Sequence, residues 1–428
     1  MLHTDLVNLV RGRGLPDYDP AATKGPAVGW VPADLALDAF GGLVDNPWGP
    51  TGELRLVPDP ETFVEIDPLP GERPRYRFAL ARCVDLDDAP WPSCPRVVLE
   101  RTIERLHGDF ELHVLAATEH EFALLDRQAG LPFTVDAARR AEPLLTTMVR
   151  ALAEAGVGPE NVLPEFGRNQ FEITAEPAMG VAAADRTVIV REVVREVARA
   201  LDTDVTFSPI IGPGVGSNGA HLHLSLLDCD GHSVTADPRG RHGLSPLTSS
   251  FAAGIMAHLP GLTALCAPSV VSYQRIGPRS WSAGYTAFGV ANREAALRLA
   301  PGRPSGSGRP GLGPSLEFRP IDATANPYLA LAGVLAAGMD GIRRHLPLPH
   351  SIAVDPDQLD PDQRAELGIE PLPHSLDDAL VALEHDDVLT DLFDDELWAC
   401  WISLKRQEIA RFRTASPSEI IAAYADAY

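Results

Sequence analysis

Four segments of this chain alternate apolar residues with ionisable or polar ones at the two-residue period of a β-strand. They read AATEHEFALL from Ala116, EFGRNQFEITA from Glu165, AHLHLSLL from Ala220 and SLEFRPID from Ser315. Successive strand residues face opposite sides of a sheet, so Glu119 and Glu121 share one face. Two carboxylates this close repel each other unless water or a cation screens them. The chain must therefore build a sheet with one apolar face and one strongly acidic face.

The polar face of the other three segments has the same character. Its residues are Gln170 and Glu172, then His221, His223 and Ser225, and finally Glu317 and Arg319, with Glu165 just upstream of the second segment. An ordinary solvated outer face would explain each strand taken singly. Carboxylates with an imidazole, however, are the ligands that Mg²⁺ or Mn²⁺ prefers. If the strands pair in one sheet, these side chains could share two cations, which would neutralise the paired carboxylates.

Arginines near these segments indicate chemistry on phosphates. Arg275, Arg293 and Arg298 would supply positive charge beside the metal-binding carboxylates, an arrangement used in phosphoryl transfer. The sequence contains neither a GxxxxGK[ST] loop nor a GxGxxG motif. A bound nucleotide would therefore not be held in the manner of a P-loop or a Rossmann fold.

Composition excludes some partners. The formal net charge of −23 argues against nucleic acids and anionic membranes, whose phosphates would be repelled. The first residues show no signal-peptide pattern, and no apolar run reaches the ~20 residues of a membrane span. The five scattered cysteines lack a CxxC pair, which indicates plain thiols in a reducing cytoplasm rather than disulfides or a zinc site.

The chain divides into a β-rich start and a longer mixed region. We predict an N-terminal domain over residues 1–94 and a second domain over 95–428, joined at the Pro-rich DAPWPSCP. Helices are predicted from Arg96, over 185–201, from the N-cap Asn326, from a Ser375–Asp378 capping box and over 397–412. The Gly- and Pro-rich segment 300–315 is predicted to be a surface loop or a flap beside a site.

The motifs resemble those of the glutamine synthetase family, nearly end to end. In family order they are LRLVPDPET, EHEF, EFGRNQFE, GAHLHLSL, SYQRIGP, NREAALRLA, LEFRPIDATANPYLA and LPHSLDDALVALE. The resemblance implies an α+β fold, with an N-terminal β-grasp domain and a catalytic domain whose antiparallel sheet lines a funnel between ring subunits. It also implies a homo-oligomer, a dodecamer of two stacked hexameric rings.

The resemblance assigns cations and substrates to individual residues. One Mg²⁺ or Mn²⁺ would be held by Glu121, Glu165 and Glu172, and another, on the ATP phosphates, by Glu119, His221 and Glu317; two or three ions are expected in all. Arg275 and Arg319 would bind glutamate and the acyl phosphate, Arg293 and Arg298 the ATP phosphates, and Ser225 would lie at the adenine pocket. His223 is interpreted as a packed or supporting residue near the nucleotide. The implied catalytic groups include Arg275 and Arg293.

The sequence departs from the family on the side of the nitrogen nucleophile. The flap glutamate that accepts a proton from ammonium falls on Trp281, and an indole cannot accept a proton. Gly216 or Ser217 replaces an asparagine of the glutamate site, and Ser315 replaces an arginine. The DGSS-type loop is missing, and VDNPWGPTG with Asp45 stands in its place.

These losses predict an ATP-dependent ligase that joins glutamate to an organic amine, with Trp281 packing on that amine. The lack of the family's acids makes a polycationic amine less favoured. Three alternatives stay open: a glutamine synthetase that uses ammonia, with Glu294 as the restored acid; a non-catalytic relative; and a hydrolase of γ-glutamyl amides.

Overall fold

The structure, a computed structural model, describes residues 1–16, 19, 27–71, 74–125, 130–212, 216–302 and 313–428. The N-terminal region is built from short strands in three small sheets, ordered β1-β2, β3-β4-β7 and β5-β6. Its strands are β1 Leu2–Thr4, β2 Val10–Gly12, β3 Val28–Trp30, β4 Leu54–Pro58, β5 Val64–Ile66, β6 Tyr76–Phe78 and β7 Ala81–Val84. The predicted β-rich start is confirmed.

The longer region contains one large sheet and the helices. Its strands are β8 His113–Leu124, β9 Pro159–Pro164, β10 Gln170–Ala175, β11 Ala178–Met179, β12 Val205–Thr206, β13 Leu222–Leu227, β14 Phe288–Val290, β15 Leu297–Ala300 and β16 Ser315–Phe318. The helices are α1 Pro95–Phe110, α2 Val135–Arg140, α3 Leu144–Glu154, α4 Val181–Ala200, α5 Pro246–Ala257, α6 Leu259–Cys266, α7 Pro327–Arg343, α8 Pro361–Leu367, α9 Leu376–Glu384, α10 Asp387–Thr390, α11 Asp395–Phe412 and α12 Pro417–Ala427. The predicted α+β class is confirmed.

Strand β8 organises the large sheet. The order is β14-β15-β16-β13-β8-β10-β9, and β11 and β12 also pair with β8. All pairs are antiparallel except β14 with β15. The four segments that the sequence singled out therefore lie in one sheet, as β8, β10, β13 and β16. Apolar residues such as Phe122, Ile173 and Leu224 fill the buried face, which leaves the acidic face for the site.

The five helices that the sequence predicted are present, as α1, α4, α7, α9 and α11. The Asn326 side chain accepts hydrogen bonds from the N–H groups of Tyr328 and Leu329, which caps the nearly fully buried helix α7 as predicted. Ser375 caps α9, but the Asp378 carboxylate accepts a hydrogen bond from the Ser375 hydroxyl instead of completing the reciprocal box. Seven further helices were not predicted, namely α2, α3, α5, α6, α8, α10 and α12. Of the predicted loop 300–315, residues 303–312 lie outside the described residues.

Buried polar contacts join the N-terminal strands to the helices. The Arg96 guanidinium, in the first turn of α1, contacts Asp59 at 2.6 Å and Asp185 of α4 at 3.0 Å. The Tyr328 hydroxyl of α7 donates to the same Asp185 at 2.7 Å. Because a buried charge is tolerated only when it is paired, this network fixes α1, α4 and α7 against the N-terminal region.

Among the described residues, no single helix has the length and apolar character to span a membrane. Only the pair α5 and α6 passes that test together, and the two are bent by 74° at His258. The residues on these helices are mostly buried within the fold.

His258 joins three helices at this bend. Its Nδ1 lies 2.7 Å from the Asp386 carboxylate, which caps α10, and its Nε2 lies 3.0 Å from Asp340 of α7. Burial alone would lower the pKa of His258, but hydrogen bonds to the two carboxylates raise it above its ordinary value. The protonated imidazole therefore holds both acids.

We expect His258→Gln to lower the free energy of unfolding by about 1–3 kcal/mol at pH 6, since the half-buried Asp386 loses its cation while Asp340 keeps its contact with Arg344. Because the pKa of His258 is raised in the folded protein, its full contribution to the free energy of unfolding is present below the unfolded pKa of about 6.5. This contribution is lost as the pH rises through the folded pKa. The penalty, measured by urea unfolding, should therefore shrink by pH 9. The exposed His374→Gln is the control; an equal penalty at both pH values would contradict this role.

Candidate active site

Four carboxylates meet on the polar face of the central strands. Glu121 of β8 is directly opposite Glu172 of β10, and Glu119 is opposite Thr174 of the same strand. Glu165 follows the end of β9, and its charge acts on both Glu121 and Glu172. We call Glu119, Glu121, Glu165 and Glu172 the acidic cup. The sequence predicted that these residues would converge, and the register of the strands brings them together.

The cup holds like charges at an electrostatic cost. Burial, together with Glu119, Glu121 and Glu165, raises the pKa of Glu172 to about 9. Burial, the Glu121 charge and that of Glu119 likewise raise the pKa of Glu165, although the Phe166 N–H and Arg293 oppose the shift. Raised pKa values in a group of neighbouring acids are typical of a site that binds a cation, because a cation would offset their mutual repulsion.

Glu121 is held in place by two hydrogen bonds to one of its oxygens. Its Oε2 accepts hydrogen bonds from the Gly219 N–H at 2.6 Å and from the Gln170 side chain at 3.1 Å. Burial would raise the pKa of Glu121, but His221, Arg275 and the Gly219 N–H together hold it below its usual value. Gln170 and Gly219 thus position this carboxylate. Gly219 must lack a side chain, because a Cβ there would lie 2.5 Å from the Arg275 Nη2 atom.

A second group of possible metal ligands differs from the predicted one. Ligand atoms of Glu119, His223 and Glu317 all lie within 4.8 Å of one another. His223 is opposite Glu317 in the strand register, and its Nε2 lies 3.0 Å from Glu119 Oε1. Ser315, placed where the family has an arginine, contacts the His223 Nδ1 at 3.0 Å and orients the ring.

The resemblance had placed His221 with Glu119 and Glu317. In the structure the buried His221 contacts Glu121 instead, with its Nε2 atom 3.5 Å from the Oε1 atom of Glu121. Burial and Arg319 lower the pKa of His221, whereas Glu119 raises that of His223 against burial. The buried Nδ1 of His221 has no hydrogen-bond partner among the described residues. Neutral His221 keeps a lone pair suited to a metal, and its assignment as a ligand stays a prediction.

Arginines border the carboxylates. Glu317, with no exposed surface, is paired with Arg319 and with Arg298, whose Nη1 lies 2.6 Å away. Burial would raise the pKa of Glu317, but Arg319, the two histidines and Arg298 lower it to about 2. Arg275 is buried, and its Nε and Nη1 have no hydrogen-bond partner in the described part of the chain. These guanidiniums suit an anionic substrate group.

A cavity of about 380 Å³ opens beside the second ligand group. Its lining combines polar atoms of Glu119, His223 and Ser225 with apolar surface of Leu115 and Leu227. An apolar end next to possible cation ligands is suited to a nucleotide, whose base needs apolar surface and whose phosphates need a bound cation. Ser225, predicted to lie at the adenine pocket, contributes to this lining.

An exposed aromatic pair flanks the acidic cup. The rings of Trp281 and Phe166 lie 6.3 Å apart at a tilt of 38°, and they are 53% and 64% exposed. The backbone N–H of Trp281 donates to Glu294 Oε1 at 3.2 Å, and the backbone carbonyl of Trp281 accepts a hydrogen bond from Arg319. Because Phe166 directly follows Glu165, the aromatic surface adjoins the carboxylates. Sequence reasoning found Trp281 but missed Phe166, which adjoins a predicted ligand.

The predicted glutamate-site residues Gly216 and Ser217 lie against Gly167 and Gln170, beside the acidic cup. The Ser217 carbonyl accepts a hydrogen bond from the Gln170 side chain at 2.8 Å. A Cβ on Gly216 would lie 2.6 Å from the Gly167 Cα, so no side chain fits there. Asn218 points away and donates to the Ser208 carbonyl. These two positions therefore shape the site through backbone atoms.

Two family models together match nearly the whole chain. The family model described as "Glutamine synthetase, catalytic domain" matches residues 92–424, and the one described as "Glutamine synthetase N-terminal domain" matches residues 1–91. The chain belongs to the glutamine synthetase family. Membership confirms the predicted fold, with an N-terminal domain and a catalytic domain, and supports an ATP-dependent ligase activity. The exact domain boundary at 94/95 stays a prediction.

Individual family members agree with this assignment. The gamma-glutamylpolyamine synthetase GlnA3 of Streptomyces coelicolor is 35% identical, over 99% of this chain and 92% of that protein. The glutamine synthetase of Halobacterium salinarum is 32% identical, over 97% of this chain and 90% of its own. A crystal structure of a novel glutamine synthase homologue superposes with a TM-score of 0.88 and 41% identity, covering 100% of this chain and 97% of that one.

Glutamine synthetase family enzymes use ATP and divalent metals such as Mg²⁺ or Mn²⁺. The side chains present here fit such ions: the donors are carboxylates and imidazoles, the acidic cup carries excess negative charge, and the buried His221 Nδ1 has no partner among the described residues. Hard oxygen donors of this kind favour Mg²⁺ and Mn²⁺ over softer metals.

Proposed function

We propose that this protein is an ATP-dependent ligase that forms a γ-glutamyl amide from glutamate and an organic amine. The reaction would pass through γ-glutamyl phosphate, made by transfer of the terminal phosphoryl group of ATP to the substrate carboxylate. The amine would then attack the acyl carbon and displace phosphate. Family membership supports the ligase class, whereas the choice of amine is the part that needs its own argument.

The side chains divide this work among themselves. Glu121, Glu165 and Glu172 would hold one cation, and Glu119 and Glu317 with His221 or His223 would hold another. When bound, the cations neutralise charge on the transferring phosphoryl group. Arg275 and Arg319 would position glutamate and the acyl phosphate. Arg293 and Arg298 would bind the phosphates of ATP, with the base of the nucleotide in the cavity lined by Ser225.

The observation that carries the choice of an organic amine is the aromatic pair. At the position where the family has its flap acid, the chain has the exposed indole of Trp281, extended by Phe166. Two exposed rings side by side offer apolar contact to the carbon groups of an alkyl or aryl amine and cation–π contact to its charged nitrogen. Ammonia has no carbon groups, so it can make only the second kind of contact. The name of the Streptomyces coelicolor relative adds polyamines to the classes worth testing, although the lost family acids favour a singly charged amine.

One contact favours a second candidate, a glutamine synthetase that uses ammonia. The Glu294 carboxylate accepts a hydrogen bond from the Trp281 N–H, so an acid does lie at this flap. Burial raises the pKa of Glu294, although the same hydrogen bond lowers it. In this candidate Glu294 would take the proton from ammonium, and Glu294→Gln would abolish activity with ammonia.

An amine screen with ATP, glutamate and Mg²⁺ tests the proposal through ADP release and the mass of the product. We expect at least one organic amine to have a much higher kcat/KM than ammonium. Trp281→Ala should raise the KM for that amine about tenfold, since a cation–π contact is worth about 1–2 kcal/mol when desolvated. Trp281→Glu should restore use of ammonium.

The control is Val381→Ala, which removes an exposed apolar side chain on α9. Ammonium as efficient as every organic amine would sink the choice of amine and leave the ammonia candidate. Cleavage of γ-glutamyl amides without ATP would instead support a hydrolase. Absence of metal-dependent ATP binding would support a non-catalytic relative.

We also propose that the chain assembles into a dodecamer of two hexameric rings and works in the cytoplasm. Both statements rest on the resemblance and on the cysteine and charge pattern. Light scattering coupled to size exclusion measures the first. A monomer with full activity would contradict a site shared between subunits.

A further inference from the structure

A second cluster of metal-binding side chains lies at the outer end of the large sheet. His107 is in the last turn of α1, His113 is the first residue of β8, and Cys229 follows the end of β13 by two residues. One ligand atom from each lies within 4.8 Å of the others. The two imidazole rings stack with centroids 4.8 Å apart and an angle of 16° between their planes.

The fold brings these residues together from three separate elements. Helix α1 ends at Phe110, and the left-handed φ of 56° at its C-cap residue Glu111 turns the chain back towards β8, so His107 and His113 come side by side. His113 pairs with Leu227 of β13, which places the following turn beside it. The Cys229 thiol then lies 3.3 Å from the Glu111 carbonyl, against the end of the helix.

The chemistry of this cluster differs from that of the acidic cup. Two imidazoles and a thiol are borderline to soft ligands, which favour Zn²⁺, Co²⁺, Ni²⁺ or Cu²⁺ over Mg²⁺. The C-terminal end of α1 carries partial negative charge, and Asp228 and Asp230 flank the cysteine, so a cation is favoured there. Cys229 is the exposed one of the five cysteines, and the other four are buried.

We propose that His107, His113 and Cys229 form a surface site for a thiophilic divalent transition metal such as Zn²⁺, with a fourth position open to water. The thiol loses its proton on binding, and the metal then joins the end of α1, the start of β8 and the turn after β13. The site has no CxxC signature, because its three ligands come from segments that are far apart in the sequence. It is separate from catalysis: Glu119 lies six residues further along β8, or about 20 Å.

The position of the site gives it a structural consequence. The turn after β13 contributes Gly231 and Ser233 to the lining of the proposed nucleotide cavity, and Leu115 and Leu227 line the same end. A metal bound at His107, His113 and Cys229 therefore restrains one wall of that cavity. The bound ion would stabilise the fold without taking part in phosphoryl transfer.

Cobalt titration of the full-length protein in saturating Mg²⁺ tests the site, because Mg²⁺ fills the acidic cup and Co²⁺ bound to thiolate has a charge-transfer absorption. We expect one thiolate-bound Co²⁺ per chain, displaced by Zn²⁺. Cys229→Ser should abolish the band, and His107→Gln or His113→Gln should weaken binding at least about tenfold, the least that loss of a ligand costs. His232→Gln, a histidine on the same turn, is the matched control and should change nothing.

A thermal shift provides a readout that is independent of colour. Zn²⁺ should raise the Tm of the parent protein in saturating Mg²⁺ and leave that of Cys229→Ser unchanged. The proposal is overturned if no thiolate band forms, if the band persists in Cys229→Ser, or if both histidine variants bind as tightly as the parent. Unchanged binding by both histidine variants would mean that Cys229 alone takes up the metal adventitiously.

Discussion

Replacing Glu317 with alanine is expected to destabilise the metal-free protein by about 3–5 kcal/mol and to abolish ligation. Glu317 is fully buried between Arg298 and Arg319, so its loss leaves two guanidiniums without a counter-charge in the interior. Breaking a buried ion pair costs this much because the remaining charge is neither hydrated nor paired. Urea unfolding in a chelator measures the stability, and ADP release measures the activity.

The matched control for Glu317 is Glu165→Ala. Glu165 also belongs to the acidic face, but it is only half-buried and its charge is opposed by other acids. Its removal should leave the stability unchanged or raise it slightly, although ligation should still fall. If Glu317→Ala unfolded at the same urea concentration as the parent, the pairing with Arg298 and Arg319 would carry little of the native stability.

The second large effect has opposite signs on stability and activity. Glu172→Gln is expected to stabilise the metal-free protein by a few kcal/mol at pH 8, while lowering Mg²⁺-dependent ligation at least about 100-fold. Burial and three neighbouring carboxylates raise the pKa of Glu172 to about 9, which makes its ionised form costly in the folded protein. Glutamine mimics the protonated acid and removes this cost, but it cannot donate an anionic ligand.

The pH dependence of Glu172 follows from that raised pKa. Between its ordinary value of 4.5 and about 9, the folded protein binds a proton here that the unfolded chain has lost. The free energy of unfolding of the parent should therefore fall as pH rises through this range, relative to that of Glu172→Gln. Chemical unfolding in a chelator at pH 5, 7 and 9 measures the difference, which should widen with pH. A constant difference would contradict the raised pKa.

Binding of a cation should remove the electrostatic cost of ionising Glu172 in the folded protein. Mg²⁺ replaces the proton on Glu172, so calorimetry in buffers of different ionisation enthalpy should detect proton release by the parent at pH 7. Glu172→Gln should release fewer protons. Proton release identical in the two proteins would place the displaced proton elsewhere in the site.

The sequence predicted the fold where a local pattern and the tertiary contacts agree. Period-two alternation identified the polar face of β8, β10, β13 and β16, and Asn326 with Pro327 identified the start of α7. Helix α12 was missed although the sequence carries its start signal, in which Ser416 and Glu419 form a capping box with Pro417 at the first helical position. The second half of the Ser375 box failed because Asp378 reached the hydroxyl and not the backbone.

The site was predicted to the level of residue type and sheet face, but not to the level of pairs. Residues His221 and His223 share a face and have the same chemistry, so spacing cannot say which carboxylate each will contact. That choice depends on strand register and rotamer, which tertiary packing sets. Phe166 and the cluster of His107, His113 and Cys229 depend on contacts between distant segments, which no local pattern reports.

The central place of β8 has a consequence for how the protein loses function. This strand carries Glu119 and Glu121 and is hydrogen-bonded along both edges, to β13 and to β10, with β11 and β12 adding further pairs. Local opening begins where backbone hydrogen bonds are few and exposed, as at a sheet edge, and spares doubly paired strands. Partial fraying at β9 or β14 therefore leaves the two carboxylates in place, and they are released only when the whole domain unfolds cooperatively.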